Sequence, residues 1–475
     1  MHESWQTNYN EIKEEVERFE QMENGEKESY FDVHSIENIF DFYADKNQFE
    51  KAERVLQLGF RQHPQSTTLL AKQAIILIEK GDDQKAIHLM ESILHLEQSN
   101  PEFYLNLGWV YLRNGATEKG LVCFRKTLEM AFDEHEDYLL DIVLYLNQVQ
   151  EFNSTIQFLE TGCRQYPGNE NLLFELAFAY DKEERIDEGL QTYHQLLEVN
   201  PFSENAWYNL GILYIKNKEL DQAISCYDYA LALNPSHAEA LFNKGNALVH
   251  LNQYLEALDC YSEYISYGYE PLLAYHYMAD CHEQLGSSEM AQRMFSLTVK
   301  SDPEYIPGWL GYLSLLINHQ YNEEALKETA KALELFASYS EFQYLRARAL
   351  LLIDDYKGAQ KAFEAGFKID PDNLRNSFEL FQIKSAASKQ NNGLPLWKRW
   401  NNKYPDSPAV QYLGAAVYLL EINNPKQAAI CLDKALGGDT ESYDLFIELY
   451  PELEEIIQNN PILNQIILKY FDYEL

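Results

Sequence analysis

The chain has 475 residues, 46% of them hydrophobic and 13% aromatic. That is too apolar for a disordered polymer, yet no uninterrupted apolar stretch approaches the ~20 residues of a membrane-spanning helix. Its 75 acidic side chains against 38 basic ones leave a net charge of −37, which repels phosphate backbones and anionic lipid and excludes nucleic acid and membrane as general partners.

Residues 1–32 include "YNEIKEEVERFEQMENG", a charged helix expected to cap whatever follows, and their start, "MHESWQTNYNEIKEEVERFEQ", carries no basic head or apolar segment of a secretory signal, so a cytoplasmic location is expected. From Val33 a pattern of small and large residues then returns every 34 residues, most legibly from Glu204. Counting Glu204 as position 1, Trp207, Leu210, Gly211 and Tyr214 fall at positions 4, 7, 8 and 11, and Ala223, Tyr227, Ala230 and Pro235 at 20, 24, 27 and 32. At 100° per residue each set shares one side of a helix, so two helices can meet face to face, with Gly211 and Ala223 sparing bulk at the approach of the backbones and Pro235 closing the second helix.

The same frame starts at Val33, Thr67, Pro101, Glu136, Glu170, Glu204, Ala238, Leu272, Ile306 and Ser340, with one extra residue before Glu136. Position 20 is small in all ten: Ala52, Ala86, Gly120, Thr155, Gly189, Ala223, Ala257, Ala291, Ala325 and Ala359. Position 32 is proline in six units and Gln98, Phe132, Tyr269 and Ala337 in the others. Here the chain resembles the tetratricopeptide repeat family, whose W-x2-L-G-x2-Y, A-x3-F and P pattern is matched by Trp207 to Pro235 with Tyr for Phe. The resemblance covers Val33 to Asn373 densely and implies an all-α, right-handed solenoid of helix-turn-helix units that bury a core only by stacking.

Residues 374–406 form a degenerate unit. From Gln382 to Tyr404 there is no Asp or Glu, while Lys384, Lys389, Lys398, Arg399 and Lys403 give +5. "KQNNGLP" reads as a loop opening a helix at Pro395, and Trp397 and Trp400 can share one helix face. They are expected in the core, with the cations paired to the chain's own acidic surface; the competing reading is an anchor for an acidic partner. Residues 407–475 hold an eleventh recognisable unit, with Leu413, Gly414, Ala428, Leu432 and Ala435 in place and two extra residues in the turn "EINNPKQ", followed by the capping helices of "YPELEEIIQNNPILNQIILKYF".

No glycine-rich phosphate loop, G-x-S-x-G elbow or H-E-x-x-H is present, so neither an enzyme nor a cofactor is expected. Cys123, Cys163, Cys226, Cys260, Cys281 and Cys431 include no CxxC pair and no zinc-ligand spacing with histidine. His276, Asp280 and Glu283 at i, i+4 and i+7 have metal-like spacing but lack a second helix supplying ligands, and no metal is expected.

Positions 5, 9 and 12 of each first helix lie about 120° from its hairpin-packing face, and the resemblance implies that they line a concave groove. Position 5 runs Leu105, Leu140, Phe174, Tyr208, Phe242, His276, Leu310 and Tyr344; position 9 runs Trp109, Leu144, Phe178, Ile212, Asn246, Asp280, Ser314 and Arg348. The groove is expected to be apolar at Trp109, Leu140, Leu144, Phe174, Phe178, Tyr208, Ile212 and Phe242. It then turns polar through Asn246, His276, Asp280 and Glu283 to Tyr344 and Arg348. Such a strip suits an amphipathic or basic helix or peptide of another protein, so a protein-binding adaptor, monomer or homodimer, is expected. The alternative is a self-associating scaffold whose groove is filled by its own termini or a second copy. Related chaperone-binding members hold an acidic tail with Lys and Arg of the first helices, whereas here position 5 carries no Lys or Arg and position 9 only Arg348, so an acidic chaperone tail is not the expected ligand.

Overall fold

The computed structural model describes residues 2–25, 29–131, 135–386 and 393–471, with side chains from Ile12 onward; Phe132 and Lys389 lie outside the described residues. The described chain is helical without a strand, an all-α solenoid, and divides into two compact units, Met1–Pro235 and Ser236–Leu475.

In the N-terminal unit the first helices of successive hairpins begin at Val33, Thr67, Pro101, His135, Glu170 and Glu204; in the C-terminal unit they begin at Ala238, Leu272, Ile306, Ser340, Leu374 and Pro408. The frame therefore locates each start to the residue, except that His135 replaces Glu136 and Pro408 replaces Ser407. Short polar residues just ahead of these starts hold them. Asp32, Ser66, Asn100, Asn169, Ser203, Asn373 and Ser407 each accept a hydrogen bond from a first-turn backbone N–H, worth ~1 kcal/mol apiece.

The core of each hairpin follows from a trade of volume between positions 8 and 24. Phe124, Tyr193, Tyr227, Tyr261, Phe295 and Phe363 occupy position 24 and are all but fully buried. Opposite them position 8 is Gly108, Ala177, Gly211, Gly245, Ala279 or Ala347. Where position 24 is Leu56, Leu159 or Thr329, position 8 grows to Phe40, Val143 or Leu313. A Cβ on Gly108, Gly211 or Gly245 would lie 2.6, 2.5 or 2.7 Å from a ring atom of Phe124, Tyr227 or Tyr261. Small residues at position 8 thus make room for a ring. The close approach of backbones expected at both small positions occurs at position 20, where a Cβ on Gly120 would lie 2.9 Å from the Gly108 carbonyl oxygen.

Between the two helices of a hairpin the chain turns through a residue with positive φ at position 15 in all ten units. These are Gly81, Gly115 and Gly286 with φ of 72 to 76°, and Asn47, Gln150, Glu184, Lys218, Asn252, Gln320 and Asp354 with φ of 55 to 63°. In the last hairpin, framed from Ser407 so that Leu413 and Gly414 take positions 7 and 8, the equivalent is Asn423, two places late. A π-helical stretch over Val417–Glu421 precedes this turn, and the turn is itself wider, Asn424 N–H donating to the Tyr418 carbonyl six residues back where Glu219 reaches Tyr214 five back; beyond it Ala428, Leu432 and Ala435 are fully buried.

At the N-terminal end, Val16 and Phe19 of the His2–Glu23 helix are buried against Ile36, Ile39, Phe40 and Tyr43, while Glu15 accepts from Ser35 Oγ at 2.6 Å and Glu20 from Tyr43 at 3.0 Å. In the C-terminal unit Trp397 and Trp400, on the Leu394–Lys403 helix, are buried to 6% and 5% exposure, as expected of core residues. Trp397 Nε1 donates to the Val410 carbonyl at 2.9 Å, and Trp400 stacks on Phe367 with centroids 4.3 Å apart. The surrounding cations depart from expectation. Lys384 pairs with Glu364 at 2.7 Å, but Lys398, Arg399 and Lys403 make no ion pair among the described residues.

Candidate functional site

The helical angles that separate positions 5 and 9 from the hairpin-packing face ignore the length of the ring on the second helix, and the structure assigns the two positions different work. Position 5 leans on the ring at position 24 of its own hairpin. Centroid separations are 6.1 Å for Phe174 and Tyr193, 6.0 Å for Tyr208 and Tyr227, 5.6 Å for Phe242 and Tyr261, 5.7 Å for His276 and Phe295, and 6.0 Å for Tyr344 and Phe363. These contacts brace position 5 from behind, while Phe174, Tyr208 and Phe242 stay half-buried. Leu105 and Tyr344 are buried outright, at 5% and 8% exposure, and Leu140 is half-buried.

Position 9 is half-buried in the same way, Leu144 excepted. In the N-terminal unit Leu144 is 53% exposed, and Trp109, Phe178 and Ile212 are half-buried. Trp109 stacks on Tyr145 of the next hairpin at 4.6 Å, and Phe178 meets Phe152 edge-on at 6.3 Å with Lys182 Nζ 4.9 Å from its ring. The strip is thus an apolar surface already braced by its neighbours.

Ahead of it, in the first three hairpins, lies a polar recess of about 270 Å³ that the sequence reasoning missed. Glu37 and Asp41, at positions 5 and 9 of the first unit, line it with Lys72, Glu102 and Asn106. Lys72 Nζ sits 2.9 Å from Asp41 and 3.6 Å from Glu102. Burial opposes the charge on Lys72, but the two carboxylates outweigh it and hold the ammonium above its usual range. The available signal was the run of carboxylates at positions 5 and 9 in the first unit.

In the C-terminal unit the polar residues are largely committed to one another. Asn246 Oδ1 accepts from Tyr261 at 2.7 Å. Arg348 donates to Tyr344 at 3.2 Å and lies 3.9 Å from Glu379. His276 Nε2 is 3.7 Å from Asp280, and its ring is enclosed by Tyr277, Phe295 and Tyr305 at 5.6 to 5.7 Å. Burial lowers His276 and pushes Asp280 up to about 6; Glu283 is raised by burial and then by the Asp280 charge, with His319 opposing. Among the described residues no three His, Cys, Asp or Glu side chains gather as a metal would require. All six cysteines are free thiols, Cys226 being pushed up to about 12 by burial. Among the described residues no helix is long and apolar enough to cross a membrane.

Models of the tetratricopeptide repeat match residues 101–134, 204–237 and 340–373, each beginning where the 34-residue frame begins, and also 226–259, which runs from within the Leu220–Leu233 helix through Ala238–His250 into Tyr254–Ser266. No curated protein matches the sequence. Solved structures with a similar course include YrrB, described as a TPR protein with an unusual peptide-binding site (21% identity over 39% of this chain and 95% of that one, TM-score 0.34). A tetratricopeptide repeat protein from Parabacteroides merdae is 19% identical over 52% and 98%, with TM-score 0.38. The Naa15/Naa10 complex bound to HypK-THB is 11% identical over 92% and 99%, with TM-score 0.37.

Proposed function

Because this chain is a tetratricopeptide-repeat protein, a fold that typically serves protein interaction, we propose that it is a non-catalytic adaptor of the cytoplasm whose N-terminal unit holds an amphipathic helix or peptide of another protein. We retain the division into a capping segment 1–32, ten repeats over 33–373, a degenerate repeat over 374–406 and a closing segment 407–475. The observation that carries the functional reading is position 9 in consecutive hairpins, where Trp109, Leu144, Phe178 and Ile212 offer partly open apolar surface. Packed neighbouring helices lie about 8–10 Å apart, close to the rise of two helical turns, so a bound helix with apolar residues at i and i+7 can engage successive units. Position 5 supplies the rigid backing, and the Glu37, Asp41 and Glu102 recess favours a basic residue of the ligand near its end.

The alternative, a groove filled by the chain's own start, has less support. Polar contacts of the N-terminal helix fall on Ser35, Asn38, Tyr43 and Lys51 of the first hairpin. A second copy is the competing occupant that sedimentation must address. The decisive test is affinity capture from lysate with the parent chain and with Leu144→Asp/Ile212→Asp. Loss of a reproducible partner with the helical circular dichroism retained is expected. Undiminished capture, or a concentration-dependent dimer abolished by the same variant, overturns the reading.

A further inference from the structure

In a chain of net charge −37, one cleft of the C-terminal unit has the opposite sign. It is about 430 Å³ in volume and is bounded by the Tyr356–Ile369, Leu374–Ala386 and Leu394–Lys403 helices. Lys361, Lys368, Lys384, Arg399 and Lys403 converge on it. Among the described residues Glu364 is the one carboxylate in its lining, and that group is engaged by Lys384 at 2.7 Å, which holds it below the usual carboxylate range. Lys361, Lys368, Arg399 and Lys403 are exposed and make no ion pair among the described residues. The floor is aromatic: Phe367 stacks on Trp400 at 4.3 Å and meets Tyr404 edge-on at 5.3 Å. Favourable interaction with helix C-termini accounts for Lys368, Lys384 and Lys403 one at a time, but not for their meeting with Lys361 and Arg399 around one apolar floor.

We propose that this cleft docks an acidic segment of a partner protein, in which two or more Asp or Glu side chains flank an apolar residue that rests on Phe367 and Trp400. The form of the site favours an extended segment over a compact phosphate. Four of the five cations are lysines carried on three separate helices, so the positive charge is spread along a rim. Among the described lining residues the one guanidinium, Arg399, is exposed, whereas phosphate recognition rewards a buried, forked donor. At physiological ionic strength charges beyond about 8 Å are screened, so a segment seated here feels the local rim more than the acidic whole.

The test uses the full chain and a fluorescein-labelled peptide of Glu and Asp residues around a central Leu-Phe pair, read by fluorescence anisotropy. Binding is expected to weaken about tenfold between about 50 and 300 mM salt, and at least about tenfold in Lys361→Glu/Arg399→Glu/Lys403→Glu. These side chains are exposed, so circular dichroism should be unchanged. The isosteric Gln and Asn peptide should not bind. Replacing the Leu-Phe pair by Ser-Ser should weaken binding with the salt dependence kept. Inorganic phosphate should compete no better than sodium chloride at matched ionic strength. Equal binding to the triple variant, or displacement by phosphate beyond the ionic-strength effect, overturns the proposal. Leu144→Asp/Ile212→Asp should leave this binding intact, so its outcome is separate from that of the groove.

Discussion

Gly211→Ala tests the volume trade between positions 8 and 24. Within a helix, glycine to alanine ordinarily stabilises by about 1 kcal/mol. Here the added Cβ would meet Tyr227 Cε1, Cδ1 and Cζ at 2.5, 2.9 and 3.0 Å, and that ring is 1% exposed. No flexible chain end can yield, so the two helices must part by several tenths of an ångström. Overpacking of this kind costs about 1–3 kcal/mol; set against the propensity gain, the net effect should be a loss of roughly 1 kcal/mol. In a Tyr227→Leu background the obstruction is gone and the same substitution should stabilise, giving a coupling of about 2 kcal/mol across the cycle. The natural pair Val143 and Leu159 shows the swapped arrangement in use. Because stacked repeats need not unfold all at once, amide hydrogen exchange across the Glu204–Lys216 and Leu220–Leu233 helices is the appropriate measurement, with urea titration as a check. If Gly211→Ala alone slows exchange in that hairpin, the steric account of position 8 is wrong.

Three further outcomes are expected. Lys218, with φ of 61°, should tolerate glycine with unchanged or slightly raised stability, whereas Lys218→Val should lower it by about 1–2 kcal/mol in urea titration, because a β-branched side chain disfavours that backbone; equal effects would refute this. Burial raises the folded-state value of Asp280 to about 6, above that of an exposed aspartate. Its protonated form therefore contributes stability that is present below pH ~4 and lost as pH climbs from ~4 to ~6. Asp280→Asn should thus raise the urea midpoint at pH 7 and leave it unchanged near pH 4, by a modest amount because the side chain is 45% exposed; a variant weaker than its parent at pH 7 contradicts the sign. Trp397→Phe deprives the Val410 carbonyl of its 2.9 Å donor and should cost about 1–2 kcal/mol, measured by urea titration; an unchanged midpoint would show that the bond contributes nothing net.

The frame, the all-helical architecture and the burial of Trp397 and Trp400 were legible because small and large residues recur at fixed intervals and a helix converts intervals into faces. The candidate strip was legible only in outline. Angular position alone says which way Phe174 or Phe242 leaves its helix, but not that Tyr193 or Tyr261 is long enough to reach round and meet it. That interaction involves two side chains and depends on the glycine or alanine at position 8, so a one-helix projection cannot reveal it. The lengthened final turn was legible only as a count for a related reason. Counting shows that two residues are extra, while the choice between a longer loop and a wider helical turn is made by the packing of Ala428 and Leu432, which must keep their register.

The left-handed bend at position 15 is adopted by Lys218, Glu184 and Gln150 as readily as by Gly81. The docked helices on either side impose the torsion, and residue choice merely adjusts its strain. Different letters at that place therefore leave the curve of the hairpin unchanged and alter only what it costs to hold it, least for glycine and most for a β-branched side chain.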